Sequence, residues 1–292
     1  MRRNDVSGIQ MILKSFIPKS IKPFLRETLQ LVLRISIEKA SKQQGLKNIA
    51  DELTKIVPDI TDQYSTFKID NPYTAVKVRN QHAFQISLVN EIIGEFEKPT
   101  IVDIGDSAGT HLQYIIGLHS KNKKIQCLSV NLDAQAVEKI KRKGLEAVNA
   151  RAEDLHNYNI NTDIFLCFEM LEHLMNPCHF LHELSTKTNA KYMVITVPYL
   201  QNSRVGLHHI RGGGVRDVYA ENTHIFELSP KDWKLIVRHS GWTIAQERIY
   251  LQYPKWGLLG FTKPFWRRFD FEGFYGIILT RDNAWSSKYM DW

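Results

Sequence analysis

Small and acidic residues are concentrated in one short stretch, IVDIGDSAGTHLQYI, which runs from Ile101 to Ile115. Apolar residues flank Asp103, a turn of small residues extends from Gly105 to Gly109, and a helical pattern follows. Glycines at such a turn let the backbone approach a ligand closely, and the amide groups that begin the helix favour an anion. The stretch therefore predicts a binding turn for a ligand with an amino-acid end. Asp103 would lie near its ammonium group and the loop amides near its carboxylate.

The spacing of this turn separates it from the glycine pattern of dinucleotide-binding folds. Those folds need G-x-G-x-x-G after a strand, whereas this turn has the order G-x-S-x-G, with an acid two residues before the first glycine. Ser107 in the middle is small enough to let the backbone pass a ligand. A dinucleotide is therefore disfavoured as the ligand of this turn.

A second concentration of reactive side chains lies in the polar, Gly- and His-rich segment 198–228. Its imidazole and guanidinium groups are those of His208, His209, His224, Arg204, Arg211 and Arg216. Histidine exchanges protons near neutral pH, and arginine binds phosphate or carboxylate with two parallel hydrogen bonds. A segment this long between regular elements is typical of a functional loop or lid, or else of a disordered stretch, and a solvated surface is the alternative for each histidine.

The elements around these residues alternate between strand and helix from Pro99 onward. Strands are predicted at 100–105, 125–131, 146–150, 163–169 and 192–198, and helices at 110–120, 133–144 and 171–187. This alternation implies right-handed crossovers and a parallel sheet, whose apolar, β-branched strands fit burial on both faces. A helix over 229–241 follows, with Ser229 as its N-cap, and the stretches 242–251 and 271–282 are predicted to form a final antiparallel pair.

Charge is distributed very unevenly along the chain. Residues 1–48 contain ten basic and three acidic residues, which accounts for the whole net charge of +7. The partner of this segment is therefore predicted to be anionic, either a phospholipid surface or a phosphorylated molecule. A helix predicted from about Pro23 to Lys39 is basic and amphipathic, so it suits a membrane surface. Packing of its apolar face on the main domain is the favoured interpretation of this helix, and contact with a membrane is the alternative.

Two units follow from this pattern: a basic helical extension over 1–60 and an α/β domain over 61–292, with a substrate loop or lid at 198–228. No apolar run is long enough to span a membrane, and Lys14 interrupts the apolar stretch near the N-terminus, which disfavours a cleavable signal peptide. The three cysteines are scattered, suit a reducing compartment and lack zinc-type spacing. We expect a cytoplasmic protein, with peripheral contact to the inner face of the membrane through residues 1–48.

The order of these segments resembles the class I S-adenosylmethionine (SAM)-dependent methyltransferases, whose first motif is close to V-L-D-x-G-x-G-x-G. The resemblance continues through 128–155, and FEMLEHLMNP at 168–177 is similar to the E-V-L-E-H-L segment of the small-molecule branch. That branch includes ubiquinone-type and sugar O-methyltransferases. The resemblance covers about residues 99–250. It implies a Rossmann-like sheet of seven mostly parallel strands with an antiparallel last strand, and SAM as the cofactor, and the helical N-terminal extension precedes the part that it covers.

The resemblance also implies which residues hold the cofactor. Asn131 stands where the family has an acid for the ribose hydroxyls, and Arg151 replaces the first acid of the D-A-E-D-L turn. The implied cofactor-binding residues are Asp103, Gly105, Asp106, Ser107, Gly109, Asn131, Leu132, Ala152, Glu153, Phe168 and Glu169. Arg79 and His82, on the helix before the first strand, are further candidates to face the cofactor, although a solvated helix face is the favoured interpretation.

Methyl transfer from a sulfonium is an in-line displacement, so the enzyme must align the acceptor and, for a hydroxyl, remove a proton. The candidate bases are His173, His208, His209 and His224. Glu169, Glu172 and His173 are the alternative as ligands of a divalent cation, as in some ubiquinone-type relatives. For His173, helix capping or packing beside the cofactor is an equal alternative.

The function predicted from the sequence is methyl transfer to a hydroxyl or amine of a small, lipid-linked or nucleotide-linked acceptor. An anionic sugar intermediate of surface-polysaccharide biosynthesis fits the basic N-terminus and the arginines. A non-catalytic SAM-fold binding protein is the first alternative, since Asn131 and Arg151 depart from the family pattern. An RNA methyltransferase is less favoured, because FEMLEH occupies the place of the N/D-P-P-Y/F/W motif of amino-methylating enzymes.

Overall fold

The computed structural model describes residues 22–64, 67–158, 160–205, 224–269 and 271–289. In chain order its helices are α1 Lys22–Gln43, α2 Lys47–Ile56, α3 Pro72–Ile92, α4 Thr110–His119, α5 Ala134–Arg142, α6 Pro177–Lys187, α7 Pro230–His239 and α8 Lys263–Phe269. Its strands are β1 Thr100–Ile104, β2 Gln126–Asn131, β3 Glu146–Asn149, β4 Ile164–Phe168, β5 Tyr192–Tyr199, β6 Arg204–Val205, β7 Phe226–Glu227, β8 Trp242–Leu251 and β9 Gly273–Arg281.

Seven of these strands form one sheet in the order β3-β2-β1-β4-β5-β9-β8. Strands β1 to β5 are parallel, whereas β9 lies antiparallel between β5 and β8. The predicted sheet of seven strands with an antiparallel last strand is confirmed. Because the strand order reverses between β1 and β4, the carboxyl ends of these two strands border the crevice where folds of this type bind ligands.

Side-chain caps fix where several helices begin. Ser229 Oγ accepts the N–H of Asp232 at 3.4 Å, which confirms the predicted cap of α7. The predicted helix at 171–187 begins later than expected. Its first residues form a single 3₁₀ turn, and α6 starts at Pro177, where the Asn176 side chain accepts the N–H of His179 at 3.0 Å. Proline disfavours a helical conformation at the residue before it, so the helix restarts at this point.

Helix α3 is buried on nearly all its faces, which corrects the expectation of a solvated face for Arg79 and His82. These two residues are 8% and 2% exposed. The Arg79 guanidinium donates to Tyr114 Oη at 2.8 Å and to the Pro58 carbonyl at 2.7 Å. The polar residues Arg79 and His82 of this helix are therefore buried inside the protein, where Arg79 makes internal hydrogen bonds, rather than in contact with water.

Helix α1 packs against the chain that joins β8 to β9. Leu33 and Ile37 form a buried cluster with Tyr253 and Trp266. Within the described ranges, no helix combines the length and the apolar character that a membrane span requires. The predicted boundary near residue 60 stays a prediction, but this packing shows that α1 contributes side chains to the protein core.

Candidate functional site

The turn between β1 and α4 has the backbone geometry that its glycines predict. Gly105 has φ +97° and Gly109 has φ +68°, both in the region that favours glycine. The Gly105 N–H donates to the Val130 carbonyl at 2.9 Å, which ties the turn to β2. A Cβ added at Gly109 would lie 2.9 Å from Leu145 Cδ1, so packing as well as conformation requires glycine here.

Asp103 at the carboxyl end of β1 is fully buried and faces His111 on the first turn of α4. His111 Nδ1 lies 3.2 Å from Asp103 Oδ2 and 3.5 Å from Asp106 Oδ2. Burial would lower the pKa of His111, but the two carboxylates outweigh it and raise this pKa to about 9. Burial raises the pKa of Asp103 to about 6 despite the neighbouring imidazolium. A protonated His111 between two carboxylates is thus the electrostatic centre of this part of the site.

Asp106 is held by groups from three other parts of the chain. Its Oδ1 accepts the Ala108 N–H at 3.1 Å and the Gln63 amide at 3.2 Å, and its Oδ2 accepts the His111 N–H at 2.9 Å. Asn131 Nδ2 donates to the Asp106 carbonyl at 3.1 Å. Asp106 therefore organises the turn, and the sequence did not predict the involvement of Gln63 or His111.

A second histidine completes this interior cluster. The His82 ring lies edge-on to the His111 ring at 4.9 Å between centroids. Burial, together with the positive charges of His111 and Arg79, lowers the pKa of His82 well below its ordinary value. His82 is therefore neutral beside the His111 cation, and α3 supplies one wall of the site.

The residues predicted to bind ribose and adenine lie at the ends of β2 and β3. Asn131 is almost buried, and its Oδ1 accepts the Asp133 N–H at 2.8 Å. Leu132 beside it is 57% exposed at this edge of the sheet. Arg151 pairs with Glu153 at 3.5 Å. The Arg151 charge is thus directed at Glu153, one of the residues predicted to contact the cofactor.

The carboxyl end of β4 carries a strained acidic residue. Glu169 has φ +51°, and no other non-glycine residue among those described has a positive φ. Its N–H donates to the Thr196 carbonyl at 2.8 Å, which holds this conformation. Burial raises the pKa of Glu169 to about 8 despite a hydrogen bond from Thr196. Strain of this kind costs about 1–3 kcal/mol and is concentrated at functional sites.

Glu172, His173 and His224 come together beside this point. One ligand-type atom from each residue lies within 4.8 Å of the others. Both carboxylate oxygens of Glu172 are buried without a hydrogen-bond partner among the described residues, and burial raises the pKa of this group well above its usual range. The cation set predicted from the sequence shares Glu172 and His173 with this group, but the structure adds His224 in the place of Glu169.

His224 is oriented by a network with Glu227, Arg204 and Phe271, of which the sequence singled out only Arg204, as part of a cluster that binds an anion. Its Nδ1 lies 3.1 Å from Glu227 Oε1, and Arg204 Nε donates to the other Glu227 oxygen. Its ring stacks on Phe271 at 5.4 Å and lies edge-on to His173 at 4.6 Å. Burial alone would raise the pKa of Glu227. The hydrogen bonds and positive charges of His224 and Arg204 outweigh burial and keep this pKa below its ordinary value. Glu227 is therefore a carboxylate that fixes the imidazole of His224.

The other predicted catalytic residues, His208 and His209, lie outside the described residues, as do Arg211 and Arg216. Ser107, Ala152 and Phe168 lie at the predicted edge of the sheet, and Phe168 packs edge-on against His111 at 5.0 Å. The structure thus brings together the carboxyl ends of β1 and β4 with the segment around β7.

Solved structures are similar to this protein in backbone fold, whereas the sequence comparisons found no relative. No protein-family model and no curated protein sequence matches the chain. Its backbone is similar to a candidate sarcosine dimethylglycine methyltransferase from Galdieria sulphuraria, with a TM-score of 0.54 at 8% identity, covering 82% of this chain and 99% of that one. It is also similar to the 4+2 cyclase SpnF, with a TM-score of 0.52 at 11% identity, covering 84% of this chain and 97% of that one.

A third similar structure is a candidate methyltransferase of Haloferax volcanii in complex with the Trm112 methyltransferase activator. The TM-score is 0.51 at 14% identity, covering 72% of this chain and 93% of that one. The chain therefore has the fold of the class I SAM-dependent methyltransferases. Because a cyclase shares this fold, the chemistry has to be argued from the site.

Proposed function

We propose that this protein is a SAM-dependent methyltransferase acting on a hydroxyl or amine. The observation that carries the proposal is a set of buried carboxylate oxygens with no partner among the described residues, at the carboxyl ends of β1 and β4. They belong to Asp103, Glu169 and Glu172. A buried carboxylate oxygen without a hydrogen-bond partner is costly, so the site favours a positively charged ligand. SAM carries an ammonium and a sulfonium.

The residues around the turn fit this cofactor. Asp103 Oδ1 is available to an ammonium group, and apart from Asp106 the turn from Gly105 to Gly109 consists of small residues. The exposed Leu132 offers an apolar surface to adenine, and Asn131 retains hydrogen-bonding capacity for ribose hydroxyls. These residues would hold the cofactor, together with the remaining predicted set at 105–109, 152–153 and 168–169.

Bound SAM supplies an activated methyl group, so the chain has to position the acceptor and accept its proton. His224 is the best-placed base, because Glu227 fixes its Nδ1 and leaves Nε2 to face an acceptor. This base-and-carboxylate pairing is the arrangement that orients catalytic imidazoles in many enzymes. His173 lies against His224 and is the second candidate. His208 and His209 remain predictions.

A divalent cation at Glu172, His173 and His224 is a second way to activate the acceptor. The two unpartnered Glu172 oxygens and the donor atoms within 4.8 Å of one another support it. A cation there would polarise a hydroxyl and lower its pKa. Turnover that stops with a chelator and returns with added Mg²⁺ or Zn²⁺ supports the cation, and turnover unaffected by the chelator contradicts it.

The acceptor is proposed to be anionic, small, and linked to a lipid or a nucleotide. Support comes from the basic residues 1–48 and from Arg211 and Arg216 in the predicted lid. A sugar of surface-polysaccharide biosynthesis has this chemistry. A cytoplasmic location with peripheral membrane contact is proposed on the same basis. An RNA acceptor is the less favoured alternative, and a steep salt dependence of RNA binding would support it.

The deciding experiment is titration calorimetry with SAM and S-adenosylhomocysteine. We expect binding by the wild-type chain and at least about tenfold weaker binding by Asp103→Asn, since a charge-assisted contact is lost. The matched control is Glu97→Gln, which neutralises an exposed acid just before the amino end of β1, away from the site. Absence of heat with the wild-type chain would contradict the proposal. Binding without methyl transfer to any extract of small molecules or lipids would favour the non-catalytic alternative.

A further inference from the structure

The connection from β8 to β9 presents large apolar side chains to solvent. Trp256, Leu258 and Phe261 are 64%, 93% and 67% exposed, and all three lie within the segment Trp256–Phe261, here called the apolar loop. Isolated exposed apolar residues are ordinary in proteins, but three within six positions form a patch that marks an interaction site.

The apolar loop is fastened to the body of the protein by polar contacts with α1. The Gln43 side chain donates to the Trp256 carbonyl at 3.1 Å and accepts the Lys255 N–H at 3.0 Å. Ser36 Oγ lies 3.0 Å from Thr262 Oγ1 just after the loop. The two Gln43 contacts are exposed and the Ser36 contact is buried, and together they fix the loop at both ends, so its apolar side chains extend from a supported turn.

Positive charge surrounds the apolar loop. Lys255 precedes it, Lys263 follows it, and Lys39 and Lys42 lie exposed on the last turns of α1 next to Gln43. Within the described ranges, none of these lysines pairs with a carboxylate, and Lys39 and Lys42 belong to the basic segment 1–48. A patch of Trp, Leu and Phe rimmed by lysines is the composition that binds an anionic lipid interface.

The apolar loop leaves the sheet at the same edge as the candidate site. Leu251 at the end of β8 and Tyr199 at the end of β5 both pair with Gly273 at the start of β9. Phe271, two residues before that start, stacks on His224. The chain that carries the patch therefore returns directly to the proposed base.

We propose that the apolar loop is a membrane-docking element, which inserts Trp256, Leu258 and Phe261 into the headgroup region of an anionic phospholipid bilayer. Lys39, Lys42, Lys255 and Lys263 contact the anionic headgroups. Docking in this way brings the carboxyl edge of the sheet towards the bilayer, where a lipid-linked acceptor would be found.

A second copy of the chain fits this surface less well. Three side chains of this size present on the order of 400 Å², about half of the roughly 800 Å² that each partner contributes to a stable interface. A two-fold dimer through the loop would also set each lysine-rimmed patch against an identical one. Like charges would then face each other, whereas an anionic surface neutralises them.

The test is flotation of the full-length chain with vesicles of phosphatidylcholine, alone or mixed with phosphatidylglycerol. We expect binding to the anionic vesicles only, and at least about tenfold weaker partitioning for the triple variant Trp256→Ser, Leu258→Ser, Phe261→Ser. Leu235→Ser is the matched control, because Leu235 is also exposed but lies on α7. The pair Lys42→Glu, Lys255→Glu should weaken binding similarly, and Lys121→Glu, Lys124→Glu, exposed before β2, should not.

Insertion has a signature that a change in folding does not produce. Brominated lipid should quench the tryptophan fluorescence of the wild-type chain, and Trp256→Phe should lose most of that quenching while still floating. Equal flotation of the triple variant and Leu235→Ser would overturn the proposal. The proposal would also be overturned if the wild-type chain did not bind vesicles and formed an oligomer, whereas the triple variant was a monomer. The patch would then be an interface with a second copy of the chain. None of these readouts depends on SAM binding, so the two proposals fail separately.

Discussion

Two acidic clusters lie at the same edge of the sheet and differ in how their charges are balanced. After β1, Asp103 and Asp106 share the His111 cation, and Asp106 is bonded through both oxygens. After β4, Glu172 is equally buried, but both of its oxygens are without a partner among the described residues. In the first cluster the His111 cation largely neutralises the two carboxylates. In the second, the Glu172 carboxyl has no such partner among the described residues. We infer that the first cluster shapes the turn and holds the cofactor through Asp103, and that the second performs the chemistry on the acceptor.

The largest effect should come from the second cluster. His224→Ala removes the proposed base or cation ligand, so the rate of S-adenosylhomocysteine formation with an active extract should fall about 10²- to 10⁴-fold. SAM affinity should stay within about twofold of the wild-type value, because His224 is not among the residues proposed to hold the cofactor. His179→Ala, an exposed histidine on α6, is the control. An unchanged rate would remove His224 from the chemistry.

The first cluster should respond in stability. His111→Asn leaves two buried carboxylates without their cation, and we expect a loss of about 3 kcal/mol in the free energy of unfolding. Urea denaturation at pH 7 measures it. His119→Asn on the same helix changes a half-buried histidine whose side chain is bonded to the Asn90 amide, and it should cost less than about 1 kcal/mol. Equal losses would show that the His111 cluster has no special structural role.

The turn itself can be separated into backbone and packing contributions. Gly109→Ala should cost about 2–3 kcal/mol, because its φ is positive and the new Cβ would crowd Leu145. Gly144→Ala has a similar φ of +79° but nothing within 4 Å of the new Cβ, so it should cost only about 1 kcal/mol. Thermal or urea unfolding of both variants gives the difference. Equal costs would contradict the close packing described for this turn.

The His111 cation also predicts how stability depends on pH. Its pKa is raised from 6.5 to about 9 in the folded protein, so its contribution is complete below pH 6.5 and disappears as pH rises through 9. The wild-type chain should therefore lose about 2 kcal/mol relative to His111→Asn between pH 7 and pH 10. Parallel unfolding curves of the two proteins over this range would contradict a protonated His111.

The smallest expected effect has the opposite sign. Glu172→Gln should stabilise the ligand-free protein by about 1 kcal/mol, because it removes the demand for a charge at a buried position without a partner. The same change should abolish any stabilisation by added divalent cation. Urea unfolding with and without cation measures both effects. Destabilisation by more than about 1 kcal/mol would show that Glu172 belongs to the structural framework instead.

The strands were predictable because each combines β-branched residues with a boundary of small or polar ones. The β1 turn was also predictable, since two glycines after an acid have few structural uses. The pairing of His111 with Asp103 was not, because only the turn brings these positions together. One signal was available: a histidine in the first turn of a helix opposes the helix dipole when charged, so it calls for nearby acids.

Other parts of the site depended on contacts distant in sequence. The sequence singled out His173 and His224 as separate candidate bases. Nothing in the fifty residues between them indicates that their rings lie against each other. Glu227 and Phe271 lie in short, ordinary stretches, so their roles became visible only with the tertiary structure. The burial of α3 was missed for a related reason. Its polar residues resemble a solvated face, but partners such as Tyr114, which binds Arg79, come from other elements.

The position of β9 in the sheet has a consequence for synthesis of the chain. Strand β5 ends at Tyr199, but its neighbour β9 is complete only at Arg281, and β8 is made in between without a partner. At ribosomal speeds of about 5–20 residues per second, the edge of β5 waits about 4–16 seconds for β9. During that interval an apolar strand with unpaired amides is exposed to other chains. The growing polypeptide should therefore depend on chaperones until its last strand emerges.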